Sequence, residues 1–219
     1  MPQQGAYKNP IAKYVHEYMF WKKYLGKMGF LPNAHYESNF TTLFGVGKEF
    51  YDGKRLLDIG CGPCGSLEWA DNALERVGLD PLAEAYQYLG SDTHKMTYTP
   101  DFAENISFPD QHFDVVTSIN SLDHVDNLEK VVAEIDRVLR KGGHVLIACE
   151  VSPNAKPCEP TLIGWDLAST FKGDWQVVEE SRFPFSISVS ASILQGQPYD
   201  PNDETPASGV LRLILRKGL

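Results

Sequence analysis

The chain has 219 residues and carries 20 Lys and Arg against 29 Asp and Glu, a formal charge of −9. That length suits one domain with a sizeable core, and the acidity disfavours a surface that tracks nucleic-acid phosphates. No apolar run approaches the roughly 18 residues of a membrane-spanning helix and no secretory signal opens the sequence, so a cytoplasmic protein is expected.

Residues 7–30 carry Ile11, Tyr14, Tyr18, Trp21, Leu25 and Met28 at the spacing of an amphipathic helix. Lys8, Lys13, Lys22, Lys23 and Lys27 make it locally basic, but they do not share one face, which weakens a membrane-surface role. Gly29 to Asn33, with Pro32, breaks the helix, and a second helical stretch is expected from Glu37 to Phe50.

Leu56 to Ala70, LLDIGCGPCGSLEWA, reads as a buried strand from Arg55 to Ile59 and a glycine turn at Gly60, Gly62 and Gly65. A helix capped by Ser66 should follow, with Leu67, Ala70, Leu74 and Val77 as its stripe. The glycine spacing meets the dinucleotide fingerprint, so an NAD-dependent oxidoreductase has to be weighed. Asp58 argues against it, because a carboxylate at the strand tip repels a pyrophosphate and attracts a cation. Cys61-x-x-Cys64 has no second pair and no zinc-spaced histidine, so the four cysteines are expected as free thiols, with no metal.

Val77 to Asp80 reads as a second buried strand ending in an acid that suits ribose hydroxyls, whichever nucleoside cofactor binds. A short helix from Leu82 to Leu89, a strand near Lys95 to Thr99 and a Phe108-Pro109-Asp110 turn lead to a strand at Phe113 to Ser118. Asp126 and Glu129 form a capping box before a helix with Leu128, Val131, Val132, Ile135, Val138 and Leu139 inward. Gly142-Gly143 should stop that helix before a strand from His144 to Val151. The proline-rich loop from Ser152 to Pro160 follows a strand end and is a candidate acceptor-binding loop. Beyond it, Thr161 to Phe171 reads as helical, Trp175 to Ser181 and Val210 to Arg216 as strands, and Phe185 to Ile193 alternates like a strand. Residues 185–209 have no assignable task.

Asp58-Ile-Gly-Cys-Gly followed by Val-Gly-Leu-Asp80, with the segment from Asp101 to His124, resembles the class I S-adenosylmethionine (SAM)-dependent methyltransferases. The resemblance implies an α/β fold, a doubly wound, mostly parallel seven-stranded sheet with an antiparallel C-terminal strand and helices on both faces. It implies one methyltransferase domain over 1–219, with a helical lid at 1–50, a SAM-binding core at 51–151 and an acceptor-side half at 152–219. Asp58, Gly60, Cys61 and Gly62 would lie near the methionine end of SAM, Asp80 and Pro81 at the ribose, and Phe102, Ala103 and Glu104 at the adenine.

Family members commonly have an acid where this chain has Phe102, so Phe102 stacks on the ring or Asp101 takes over the missing hydrogen bond. Ser118 and Asn120 would border the methyl channel. His124 would be the general base, or a residue packed on the next helix, with Asp123 as the fallback base. Tyr14, Tyr18, Trp21 and Tyr36 would face the acceptor, expected to be a small molecule and not nucleic acid. The product would be S-adenosylhomocysteine. A module that binds SAM without catalysis, or a scaffold, is the alternative from another class.

Overall fold

The computed structural model describes residues 10–156, 158–200 and 205–219. Residues 7–9, the expected start of the first helix, lie outside that range, as do Pro157 and residues 201–204 of the late polar loop. Helix α1 spans Pro10–Met28, and the next stretch forms α2 (Tyr36–Phe40) and two 3-10 turns, Thr42–Phe44 and Lys48–Tyr51. One helix over 37–50 was expected. Gly45 interrupts it at φ 66°, a left-handed angle that ends a right-handed helix.

Seven strands follow: β1 (Arg55–Ile59), β2 (Glu75–Leu79), β3 (Thr97–Thr99), β4 (Phe113–Ile119), β5 (Leu139–Val151), β6 (Trp175–Phe183) and β7 (Gly209–Lys217). They make one sheet in the order β3-β2-β1-β4-β5-β7-β6. The pairs among β1 to β5 are parallel, and β7 runs antiparallel to both β5 and β6. The expected doubly wound sheet with an antiparallel C-terminal strand is therefore present. The order reverses between β1 and β4, so the carboxyl ends of those strands open a crevice there.

Alternation along the strands divides the core. Leu57, Ile59, Val77, Leu79, Val116, Val145 and Ile147 face α4 (Leu128–Val138), through Val131, Val132, Ile135 and Val138. Leu56, Val115, Leu146, Ala148 and Ile214 face Phe40, Leu43, Phe44 and Tyr51 together with α5 (Val189–Gln195). No α1 residue belongs to either cluster.

Local chemistry moved several boundaries. Helix α4 is capped by Asn127, whose side chain accepts from the Lys130 N–H at 3.0 Å, whereas Asp126 pairs with Lys13 at 2.6 Å. The helix stops at Val138 because Leu139 already pairs with Phe113; Gly142, at φ 71°, lies within β5. The alternating run at Phe185 to Ile193 is not a strand. Ser188 accepts from the Ala191 N–H at 3.1 Å and the Ser192 hydroxyl donates back to the Ser188 carbonyl at 2.7 Å, which starts α5. Of the expected helix at 161–171 only the 3-10 turn Leu167–Thr170 forms, and α3 (Ala83–Tyr86) with a 3-10 turn fills Leu82 to Leu89.

Candidate active site

The glycine N–H groups of the turn after β1 already have hydrogen-bond acceptors. The N–H groups of Gly60 and Cys61 donate to the Leu79 carbonyl at 2.8 and 3.3 Å. The Gly62 N–H donates to Asp80 at 3.2 Å and the Gly65 N–H to the Tyr98 hydroxyl at 2.9 Å. Gly60 stands at φ 73°, and a Cβ there would lie 2.2 Å from that of Ser121. The helix expected from Ser66 is absent: residues 66–74 are turns, and Val77, counted on its stripe, belongs to β2. Ser66 has another use, donating its hydroxyl to Asp58 at 2.5 Å. The turn thus offers a pyrophosphate neither free glycine donors nor the positive end of a helix.

Asp58 and Asp80 stand at the carboxyl ends of β1 and β2, both buried. Burial pushes the Asp58 carboxyl up to about 7, against the lowering effect of hydrogen bonds from Ser66 and from Thr117 at 2.8 Å; the neighbouring Asp80 adds to the rise. Burial likewise pushes Asp80 up to about 6, opposed by the Leu82 and Gly62 N–H groups. Both acids become easier to ionise beside a cation. The thiols beside them behave as packing groups: burial holds Cys61 well above its ordinary value and pushes Cys64 up to about 11.

Two adjoining cavities open over these residues. The smaller, about 110 Å³, is lined by Tyr14, Asp80, Pro81, Leu82, Phe102, Ala103, Glu104 and Ser121 among others. The larger, about 440 Å³, is lined by Trp21, Tyr36, Asp58, Cys61, Gly62, Cys158 and Glu159 among others. Glu17, Gly60, Asp80, Asn120 and His124 line both, so the two are one crevice with a waist. Lys13 is the only Lys or Arg on either wall among the described residues, and it is engaged by the His124 carbonyl at 3.1 Å and by Asp126.

Helix α1 roofs this crevice. Tyr14 and Glu17 face it, and Trp21 packs on the turn so closely that a Cβ at Gly62 would meet its ring at 3.1 Å. Glu17 accepts from the Trp21 indole at 2.8 Å. Glu17 was not singled out from the sequence; its place one turn before Trp21 on the aromatic face was the available signal. Ser121 and Glu159 were also not singled out.

Two expected wall residues are not on the walls. Tyr18 lines neither cavity, although it is half-buried on the same face of α1 as Tyr14 and Trp21. Ser118 is buried, 2.6 Å from the Ser121 hydroxyl, which in turn donates to the Ile59 carbonyl at 2.7 Å. Asn120 does face the crevice, held at φ 54° by its N–H bond to the Ala148 carbonyl at 2.7 Å. Phe102 lies edge-on to Tyr14 at 6.1 Å, and Asp101 is spent on the Ser107 N–H at 2.8 Å, off the wall. One oxygen of Glu104 accepts from the N–H groups of Asp126 and Asn127 at 2.7 and 3.1 Å, ahead of α4.

A family profile described as a methyltransferase domain matches residues 57–147. The phthiotriol/phenolphthiotriol dimycocerosates methyltransferase of Mycobacterium leprae is 34% identical over 110 residues, 48% of this chain and 40% of that protein. YcgJ of Bacillus subtilis, named an uncharacterized methyltransferase, is 29% identical over 105 residues, 45% of this chain and 42% of that protein. The chain thus spans less than half the length of these relatives. The crystal structure of YcgJ superposes with a TM-score of 0.58 at 18% identity, covering 81% of this chain and 99% of YcgJ. A structure described as the [4+2]-cyclase SpnF superposes with a TM-score of 0.56 at 18% identity, covering 84% of this chain and 78% of SpnF. At such identities the likeness carries the fold and not the reaction.

Proposed function

We propose that the chain is a class I SAM-dependent methyltransferase that binds SAM across the crevice and transfers its methyl group to a small-molecule acceptor, a reading supported by the methyltransferase-domain match over residues 57–147 and by the shared fold. The observation that carries this is the pairing of two buried carboxylates, Asp58 and Asp80, with a glycine turn whose N–H groups already have acceptors. A ligand with an ammonium, a sulfonium and no phosphate suits that lining; an NAD pyrophosphate does not.

In this reading the adenine lies in the smaller cavity between Phe102, Ala103 and Leu82, where ring stacking takes the place of the family's acidic side chain. Asp80 accepts the ribose hydroxyls, and the methionine end turns at Gly60 toward Asp58. The methyl then points into the larger cavity, between Asn120, Trp21 and Tyr36. Residues 1–50 act as the lid, and the loop from Ser152 to Pro160, through Cys158 and Glu159, forms the acceptor side. His124, at the waist, is the side chain placed against the acceptor.

In-line displacement extinguishes the sulfonium charge, so alignment and exclusion of water supply most of what the reaction needs. Titration calorimetry with SAM, S-adenosylhomocysteine and NAD tests the cofactor: binding of the first two and not the third is expected, and NAD binding without SAM binding would overturn the reading. The likeness to a structure described as a [4+2]-cyclase supports one other reading, that this fold serves something other than methyl transfer, as a module that binds SAM without catalysis would. Incubation with methyl-labelled SAM and a metabolite extract separates them, since a bound cofactor with no labelled product favours the second.

A further inference from the structure

One charged cluster at the edge of the crevice has no task in cofactor binding. Asp123 and His124 come from the 3-10 turn Leu122–His124 after β4, and Glu159 from the loop after β5. One ligating atom from each lies within 4.8 Å of the others, and the Asp123 Oδ1 to His124 Nε2 distance is 3.8 Å. Asp123 Oδ1 is the informative atom. The residue is 5% exposed, and this oxygen has no hydrogen-bond partner. A buried carboxylate oxygen left alone is costly, and such atoms call for a ligand. The local ammonium does not supply one, because Lys156 is engaged by Glu150 at 2.9 Å and Glu159 at 2.7 Å.

We propose that Asp123, His124 and Glu159 bind a divalent cation of the manganese or zinc type at the rim of the larger cavity, where it holds an oxygen of the methyl acceptor. Two carboxylates and one imidazole form a mixed hard and borderline donor set, which suits these ions better than thiophilic ones. Three protein ligands leave coordination positions free, the arrangement of a reactive site and not of a closed structural one. His124 and Glu159 line the larger cavity, so those positions face the space assigned to the acceptor. Bond lengths of about 2.0–2.2 Å bring neighbouring ligand atoms to roughly 3 Å, so the cluster must contract. Glu159 can make that movement, since it sits on a loop and Lys156 retains Glu150 when Glu159 leaves it.

The chemical consequence rests on the methyltransferase reading; cation binding itself does not. A hydroxyl on the cation loses its proton to solvent more readily, and the resulting oxygen attacks the methyl carbon. The C–O bond forms as the C–S bond breaks, with the electron pair passing to sulfur. His124 is then a ligand to the ion, not the general base.

The test is titration of EDTA-stripped full-length protein with Mn²⁺, followed by electron paramagnetic resonance, for wild type, His124→Ala and Glu159→Gln. One saturable site per chain, weakened at least tenfold in both variants, is expected. No saturable binding in wild type, or unchanged binding in both variants, would overturn the proposal. Glu159→Gln, on an outer loop, keeps the comparison available if His124→Ala folds poorly. SAM calorimetry in EDTA runs beside it: Mn²⁺ binding without SAM binding sinks the methyltransferase reading and spares the cation site, and the reverse does the opposite.

Discussion

Asp80 and Asp58 have different tasks at the same strand ends, and each predicts its own measurement. Asp80→Ala removes the acceptor assigned to the ribose hydroxyls, a change of about 1.5–3 kcal/mol for hydrogen bonds to a charged group. Calorimetry should show SAM affinity lower by tens-fold, together with a lower melting temperature because the Gly62 and Leu82 N–H groups lose their acceptor; an unchanged affinity would remove Asp80 from the ribose. Asp58 predicts a pH dependence. Its folded carboxyl is raised to about 7 by burial, with Asp80 and the phenols of Tyr36 and Tyr51 as its ionisable neighbours, so the free protein holds a proton there that an unfolded chain gives up near pH 4. A raised carboxyl stabilises the fold below the unfolded value and that contribution is lost as pH rises through the folded one. The free protein should therefore lose stability between about pH 4 and 7, while SAM affinity rises about tenfold per pH unit toward pH 7 as the cation displaces the proton. Calorimetry in buffers of different ionisation enthalpy should register proton release below pH 7. Gly60→Ala places a Cβ on Ser121 at a left-handed φ, and loss of the fold or of SAM binding is expected.

At the scale of elements, α1 is held to the waist by Lys13, whose ammonium joins the His124 carbonyl and Asp126. Asp126 is largely exposed, so the ion pair contributes little to global stability, but it is a tie between the lid and the site. Lys13→Ala should leave the melting temperature nearly unchanged and speed amide exchange along Pro10–Met28; equal exchange in both proteins would show that the aromatic contacts alone hold the helix. The missing helix after the glycine turn belongs to this scale as well. Apolar spacing at Leu67, Ala70 and Leu74 is a helical pattern, yet Ser66 is drawn inward to Asp58 and the Glu68 carboxylate accepts the Lys95 and Met96 N–H groups at 2.9 and 2.7 Å. Those long-range bonds hold the segment as turns, and no local propensity reveals them.

For the whole molecule, the two core clusters are built without α1. Deleting residues 1–28 should leave the sheet folded, with the far-ultraviolet spectrum reduced only by the lost helix, and should abolish tight SAM binding. Collapse of the truncated chain would show instead that the roof is part of the core. Part of the chain's acidic excess lines the crevice, where Glu17, Asp58, Asp80, Glu104 and Glu159 stand with one engaged lysine among the described residues. A cationic cofactor offsets part of that charge, so ligand-induced gains in melting temperature should shrink as salt rises.

The sheet was legible in the sequence because buried strands announce themselves locally: LLDI, VGL and FDVVTS need only their own apolar pattern and the turns that follow. Asp58, near the end of β1, and Asp80, just after β2, were legible for the same reason, since a strand end fixes where its side chains stand. Trp21 followed from helical spacing, whereas Asn120 and Tyr36 were implied only by the resemblance; all three line the larger cavity. What the sequence could not determine depends on partners far along the chain. Ser118 reads as a wall residue until Ser121 takes its hydroxyl, and Asp101 reads as an adenine contact until Ser107 takes its carboxylate. Phe185 to Ile193 alternates like a strand, but once β6 ends at Phe183 its serines close on one another and make a helix. Asp123 and Glu159, 36 residues apart by number, meet only because α4 takes the chain back and the parallel β5 returns it beside the end of β4. Periodicity is a property of neighbours, whereas hydrogen-bond satisfaction and charge clustering are properties of the closed fold, and the acceptor side of this site is built from the second kind.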